Sequence, residues 1–490
     1  MPSSAITTSR DCPGNAWRWR ICSRPPRSMW PGSDMDMKGG DIMETEKIDV
    51  GALIDAWGIT AWQIGIVAIC MIVTLLDGFD QFSLGFVAPA IKNEWQLSPQ
   101  QLSYLFTASL LASVAGVLGG PLADRVGRRW LVIGSTASFG LFTLLSCTAT
   151  NAEQFFAWRM LTGLGLGAAV PNTIALCAEI SPKRVRSTVV VLLICAVPFG
   201  AALAGFVSSQ LQSHYGWRSL YVVGGVLPLL AALLLTGVLP ESIRMLALRG
   251  TSGAQLRIRA TLRNINPHWN PPDTVSFYVP EEGLSRNPVA SLFEPGRASG
   301  TVALWLVMAM NLLEITFLGV WLPSLILRAG LDGAVPSHVT SVMLIGATIG
   351  SVLVGRIVDR FGTFSILVPV HLAGAVAVAS MGVAMGNIEA MYCAAFMIGL
   401  FVNGGQGGAD GMLTAFYPTS MRSTGISWAL GAGRLASIGG PLLGGLMLSA
   451  GLSTQAIFML AGVPVIVSAL TIQAMWRRAS RQLEAKPAGQ

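Results

Sequence analysis

From about residue 57 onward, long apolar runs alternate with short polar breaks. The runs are continuous, 18 or more residues long, and lack the alternation of a half-buried strand. They lie near 61–90, 101–122, 130–149, 153–177, 187–211 and 219–239, then near 302–327, 338–357, 364–385, 389–413, 424–449 and 455–475. A helix of about 20 apolar residues crosses a bilayer. The pattern therefore predicts an all-α polytopic membrane protein with twelve spans in two sets of six. A membrane β-barrel is excluded, because it needs short alternating segments.

Between the sets runs a polar segment, Pro240 to Gly300, with prolines at 267, 271, 272, 280, 288 and 295. The predicted organisation is a polar N-terminal region 1–56, a six-helix half 57–240, a cytoplasmic linker 241–300, a second half 301–476 and a tail 477–490. Residues 1–56 read as irregular, and Trp17–Pro31 has no apolar core of signal-peptide length. Methionines at 35, 37 and 43 are candidate true starts; the rival reading is a basic arm that touches anionic lipid.

Composition agrees with the pattern. Of 490 residues 52% are hydrophobic and 12% charged, with a mean hydropathy of +0.59. Soluble domains carry about 25% charged residues, so a soluble multidomain enzyme is excluded. Seven cysteines form no CxxC pair, and five fall inside apolar runs, so they read as packing residues. No P-loop is present, so ATP does not drive the protein directly. No cofactor is expected. The net charge of +7 does not point to nucleic acid, because its distribution follows the spans. With both termini in the cytoplasm, 27 of 32 Lys and Arg fall on the cytoplasmic side, three (Lys92, Arg218, Arg328) on the other, and two (Arg159, Arg434) within spans. This asymmetry is the positive-inside signature.

The halves repeat. Gly120-Pro-Leu-Ala-Asp124-Arg125-Val-Gly127-Arg128-Arg129 follows the second span, and Gly355-Arg-Ile-Val-Asp359-Arg360-Phe-Gly362 follows the eighth, 235 residues later. Pro182-Lys-Arg-Val-Arg186-Ser-Thr and Pro418-Thr-Ser-Met-Arg422-Ser-Thr are 236 apart. Two motifs at nearly one offset mean a duplicated six-helix unit of parallel topology. Secondary transporters use this plan, with the site where the halves meet.

These residues resemble the major facilitator superfamily over about 57–480. A narrower likeness lies in Asp77-Gly-Phe-Asp80 followed by Gly85-Phe-Val-Ala-Pro89, which is similar to the aromatic acid:proton symporter family. Arg159-x-x-x-Gly163, Glu179-x-x-Pro182, Pro240-Glu241-Ser242, Tyr417-Pro418 and Gly431-x-Gly433-Arg434 fit as well. The resemblance implies uptake of benzoate-type acids with protons across a bacterial inner membrane, by a protein acting as a monomer. The N-terminal extension departs from it.

The residues themselves point the same way. Asp77 and Asp80 are three apart near the middle of the first span, on one helix face. Carboxylates at that depth are costly and face the interior, and two side by side repel, which favours a proton on one of them. They are the candidate proton carriers. Arg434, in the eleventh span, is the first candidate for a substrate carboxylate, to which a guanidinium offers a two-pronged contact. Arg159 begins the fourth span near its outer end and reads either as a coupling residue or as a snorkelling one. Glu314 and Asn311 share a face of the seventh span and suit a substrate hydroxyl; Asn403, Gln406 and Asp410 in the tenth are further candidates. Lone His371 reads as satisfied packing. Trp305, Trp321, Phe317 and Phe401 could stack on a ring, though packing is the plainer role. Asp124, Arg125 and Arg128, with Gly120, Gly127, Glu179, Arg186, Asp359, Arg360 and Arg422, form a predicted gate at the cytoplasmic surface. Gly163-Leu-Gly165-Leu-Gly167 follows no strand, so it reads as helix packing and not as a nucleotide site. The alternatives are export or another organic acid within the same fold, or a membrane sensor of the same acid. No catalytic constellation suggests an enzyme.

Overall fold

The first span, Ala61–Trp95, opens on a capping box: Thr60 and Gln63 satisfy each other's backbone N–H groups. It then runs 35 residues to Gln96, whose left-handed conformation ends it. The computed structural model describes residues 47–117, 126–269, 271–272, 275–279, 289–294, 297–418 and 421–484. The following spans are Pro99–Val117, Arg128–Ser146, Ala152–Ile180, Lys183–Tyr215 and Arg218–Val238. The second half comprises Ala298–Arg328, Val335–Phe361, Thr363–Ala384, a tenth span from Ile388 to Phe416, an eleventh split into Arg422–Ser437 and Gly439–Ser449, and Thr454–Glu484. Among the described residues nine helices are individually long and apolar enough to cross a membrane. The second, third and split eleventh complete the twelve-helix bundle. Most bounds fall within a few residues of those expected, because apolar periodicity and polar breaks set them; the last helix runs nine residues further, to Glu484.

The duplication is present in three dimensions. Gly127 (φ 113°) and Gly362 (φ 91°), 235 apart, cap the third and ninth spans in a conformation that side chains rarely adopt. Arg186 Nε and Arg422 Nε each donate to the carbonyl five residues back, of Ser181 and of Tyr417, at 3.3 Å. Gly163 packs on the backbone of Ser109 in one half, and Gly399 on that of Met343 in the other. The GxGxG stretch is thus helix packing, as its lack of a preceding strand implied. Gly78 against Val197 and Gly200 against Leu75 likewise bring the first and fifth spans to backbone contact.

Contacts between the halves cluster at the end of the bundle away from the linker. Gly85 abuts Gly319 and Val320, Ser341 Oγ donates to the carbonyl of Ala202 at 2.9 Å, and His338 Nε2 lies 3.0 Å from Ser209 Oγ. Gly445 meets Ser103, and the Phe106 ring meets Trp321 edge-on. Small residues at these crossings let the helices close that end.

Residues 47–56 are not the irregular segment expected from their polarity. Lys47–Asp49 forms a strand parallel to Ser276–Tyr278 of the linker, and Val50–Ala56 is a helix capped by Asp49. Val50, Ile54, Ile258, Leu262, Val275 and Phe277 share one apolar cluster with the start of the first span. Trp57 packs on Trp269, and Asp55 pairs with Lys183 at 3.1 Å. The first part of the linker and the segment before the first span thus fold together against the N-terminal half. The candidate starts at 35, 37 and 43 lie outside the described residues.

Candidate transport site

Mid-way along the first span the two acids have different surroundings. Asp80 is fully buried and holds Arg159 in a two-pronged ion pair, with Nη1 to Oδ1 at 3.0 Å and Nη2 to Oδ2 at 2.9 Å. Thr143 of the third span adds a hydrogen bond to Oδ1 at 2.6 Å, and the guanidinium lies 5.6 Å from the ring of Tyr221 in the sixth. Four spans therefore meet around the Asp80–Arg159 pair. The snorkelling alternative for Arg159 is excluded: its side chain is wholly buried, because an inward carboxylate offers better compensation than the membrane surface. Thr143 and Tyr221 carried no sequence signal, since a threonine and a tyrosine in apolar runs look like packing.

Asp77 has no such clamp. It is 7% exposed, and its Oδ1 has no hydrogen-bond partner among the described residues. The cation whose field reaches it is Arg434, from the opposite half. Arg434 forms no ion pair within 4 Å among the described residues, and it is only partly buried. Two residues 357 positions apart in sequence, one from each half, are thus coupled electrostatically.

The remaining candidates separate. Asn311 is committed: its Nδ2 lies 3.1 Å from His371 Nε2, and its Oδ1 accepts from Ser468 at 2.8 Å. His371 Nδ1 lies 2.8 Å from the Leu367 carbonyl, so the histidine is a satisfied tie between the seventh, ninth and twelfth spans. Glu314 is 1% exposed with both carboxyl oxygens unpartnered among the described residues, and no neighbouring charge acts on it. Its place is informative. Pro89 and Pro323, Gly85 and Gly319, and Asp80 and Glu314 are each 234 apart. Glu314 is the repeat counterpart of Asp80, but Ala395 stands where the fourth span has Arg159. In the tenth span a π-helical turn, Gly399–Asn403, re-aims the helix. Gln406 beyond it donates to Asp410 at 2.9 Å and leaves its own Oε1 buried without a partner among the described residues. Trp321 and Phe317 are core residues; Trp305 stacks on Trp428.

At the linker end Arg128 pairs with Glu179, which also accepts from Ser242 Oγ at 2.5 Å. Glu241 Oε1 accepts the backbone N–H groups of Arg129 and Ser242 at 3.1 and 2.9 Å, so it caps the third span, whose Gly127 has no side chain to do so. Glycine is favoured at 127 by its φ of 113°, and the Glu241 carboxylate occupies the space beside its Cα. Arg186 lies 4.0 Å from Asp55. Asp359 and Arg360 are exposed, and Arg360 lies over the adjacent Phe361 ring. Gly120, Asp124 and Arg125 lie outside the described residues.

A duplicated twelve-helix bundle with charged groups buried where its halves meet is a membrane transporter, and this chain belongs to the Major Facilitator Superfamily, whose profile matches residues 70–272 and 304–490. Within it the chain falls among the aromatic acid transporters. It is 35% identical over 439 residues to the 4-hydroxybenzoate transporter PcaK of Pseudomonas aeruginosa, covering 89% of this chain and 97% of that one. It is also 35% identical over 429 residues to a gallate transporter of Pseudomonas putida, covering 87% and 95%. A benzoate transport protein of Acinetobacter baylyi is 28% identical, with 87% and 92% covered. A solved D-xylose-proton symporter shares the fold at TM-score 0.68 and 18% identity, covering 84% of this chain and 97% of that one.

Proposed function

We propose that the protein imports a benzoate-type aromatic carboxylate together with protons across a bacterial inner membrane, with both termini cytoplasmic and no cofactor beyond the proton gradient. The observation that carries this reading is Arg434 set opposite a carboxylate, Asp77, that has no other counter-charge. One guanidinium can balance one anion there. When a substrate carboxylate takes Arg434, Asp77 loses its balancing charge and remains buried at low cost only with a proton. Substrate and proton then bind together, and the loaded site is neutral as the halves rock about it. Asp80, clamped by Arg159, is the fixed member, and Glu314, Asn403 and Gln406 complete the surroundings. Asn311 acts through the His371–Ser468 tie, positioning the seventh span. The strongly basic linker side supports the cytoplasmic placement, and the substrates named for the relatives support the choice of acid.

Uptake of labelled benzoate, 4-hydroxybenzoate and gallate into cells, with and without a protonophore, tests the reading. Accumulation of at least one acid, collapsing with the protonophore, is expected; accumulation that survives the protonophore overturns proton coupling. Arg434→Lys is expected to weaken substrate binding by about tenfold or more, because an ammonium cannot form the two-pronged contact. Unchanged binding to purified protein would remove Arg434 from the site.

The charged cluster at the linker end acts, in this reading, as a gate that steadies the N-terminal half. Glu179→Gln keeps a hydrogen-bonding group for Ser242 but loses the charge facing Arg128. Both partners are partly exposed, so the expected cost is modest, about 1 kcal/mol or less. Uptake should slow several-fold at unchanged membrane level. A rate equal to wild type would show that the pair does not take part in gating.

A further inference from the structure

Beside the acid pair lies a small cavity that no sequence motif marks. It sits between the first, second and seventh spans, lined by Gln81, Phe82, Phe106, Ser109, Thr316 and Val320. Gln81 is four residues beyond Asp77, on the same face of the first span and one turn toward the closed end. The cavity has room for about one water-sized group. That is too small for a benzene ring and right for a single hydroxyl. Its walls are mostly apolar, yet three polar side chains reach it. Ser109 is 7% exposed and, like Gln81, has no side-chain hydrogen bond among the described residues. Thr316 donates its own proton to the Leu312 carbonyl at 2.8 Å, which leaves its oxygen free only to accept. The set therefore offers donors (Ser109 and Gln81 Nε2) and acceptors (Thr316 and Gln81 Oε1) around one vacant hydroxyl-sized space.

We infer that this cavity is the specificity subsite for a ring hydroxyl of the transported acid, with Gln81 and Ser109 as the residues that read it. The inference rests on the proposed aromatic-acid transport. A substrate whose carboxylate lies on Arg434 and whose ring points toward the closed end brings a ring hydroxyl into this space, where it donates to Gln81 or Thr316 while accepting from Ser109. A ring without the hydroxyl leaves those groups unpaired, and a bulkier substituent does not fit.

Binding of benzoate, 3-hydroxybenzoate, 4-hydroxybenzoate and 4-methoxybenzoate to purified wild-type protein, Ser109→Ala and Gln81→Met tests this. Both substitutions nearly conserve volume, and a thermal melt checks that each variant is folded. Wild type should prefer at least one hydroxybenzoate over benzoate by about tenfold or more and reject the methoxy acid. Each variant should lose most of that preference while binding benzoate as wild type does. Variants that keep the wild-type preference overturn the subsite, as does wild type binding the methoxy and hydroxy acids alike. If wild type binds none of the four acids, the transport reading fails with it, a result distinct from binding without discrimination.

Discussion

Asp77→Asn is expected to abolish proton-driven accumulation of substrate while leaving the protein folded and in the membrane. Asparagine matches the carboxyl in shape but cannot carry a proton between the two sides. The substrate would then enter as a bare anion against an inside-negative potential. That costs about 2.3 kcal/mol per 100 mV, which is about fiftyfold in the equilibrium accumulation ratio. The loss falls on coupling and not on the scaffold, because Asp77 holds no structural partner on its Oδ1. Downhill exchange of labelled for unlabelled substrate should persist in proteoliposomes. The decisive measurement is substrate-induced proton movement into the same vesicles. Protons entering with substrate at the wild-type ratio in Asp77→Asn would place the carrier elsewhere, and Glu314, buried without a counter-charge, is then the residue to replace.

Arg159→Ala has a different expected signature, a loss of the protein itself. It strands Asp80 as a buried charge with Thr143 as its remaining side-chain hydrogen-bond partner. Removing one partner of a fully buried pair costs about 3–5 kcal/mol. Against a total stability of about 5–15 kcal/mol this lowers the melting temperature and the membrane level sharply. The doubly neutral Asp80→Asn/Arg159→Gln variant leaves no unpaired charge and should recover much of the stability, though not transport. Melting curves of the single and double variants in detergent separate the two effects. If both melt alike, the charges contribute little and the four spans are held by packing alone.

Most of the architecture was legible in the chain. Twelve apolar runs of spanning length leave no other way to satisfy the backbone in lipid than twelve helices. The repeated Asp-Arg-x-Gly and Pro-x-x-x-Arg motifs exposed the duplication. The acids and arginines within the spans were also visible, because a charged residue inside an apolar run needs a reason. Their pairing was not. Asp77 and Asp80 are three apart on one face and look equivalent in sequence; Arg434 reads as a substrate cation and Arg159 as a coupling or snorkelling residue, with no partner indicated for either. Which carboxylate meets which arginine depends on how helices far apart in sequence cross, and that is set by close approaches such as Gly78 on Val197 and Gly85 on Gly319. The same holds for the strand formed by Lys47–Asp49, whose partner lies more than two hundred residues away. Short-range pattern determines where helices lie. Long-range packing determines which buried charges meet, as Asp80 and Arg159 do while Asp77 is left without such a clamp.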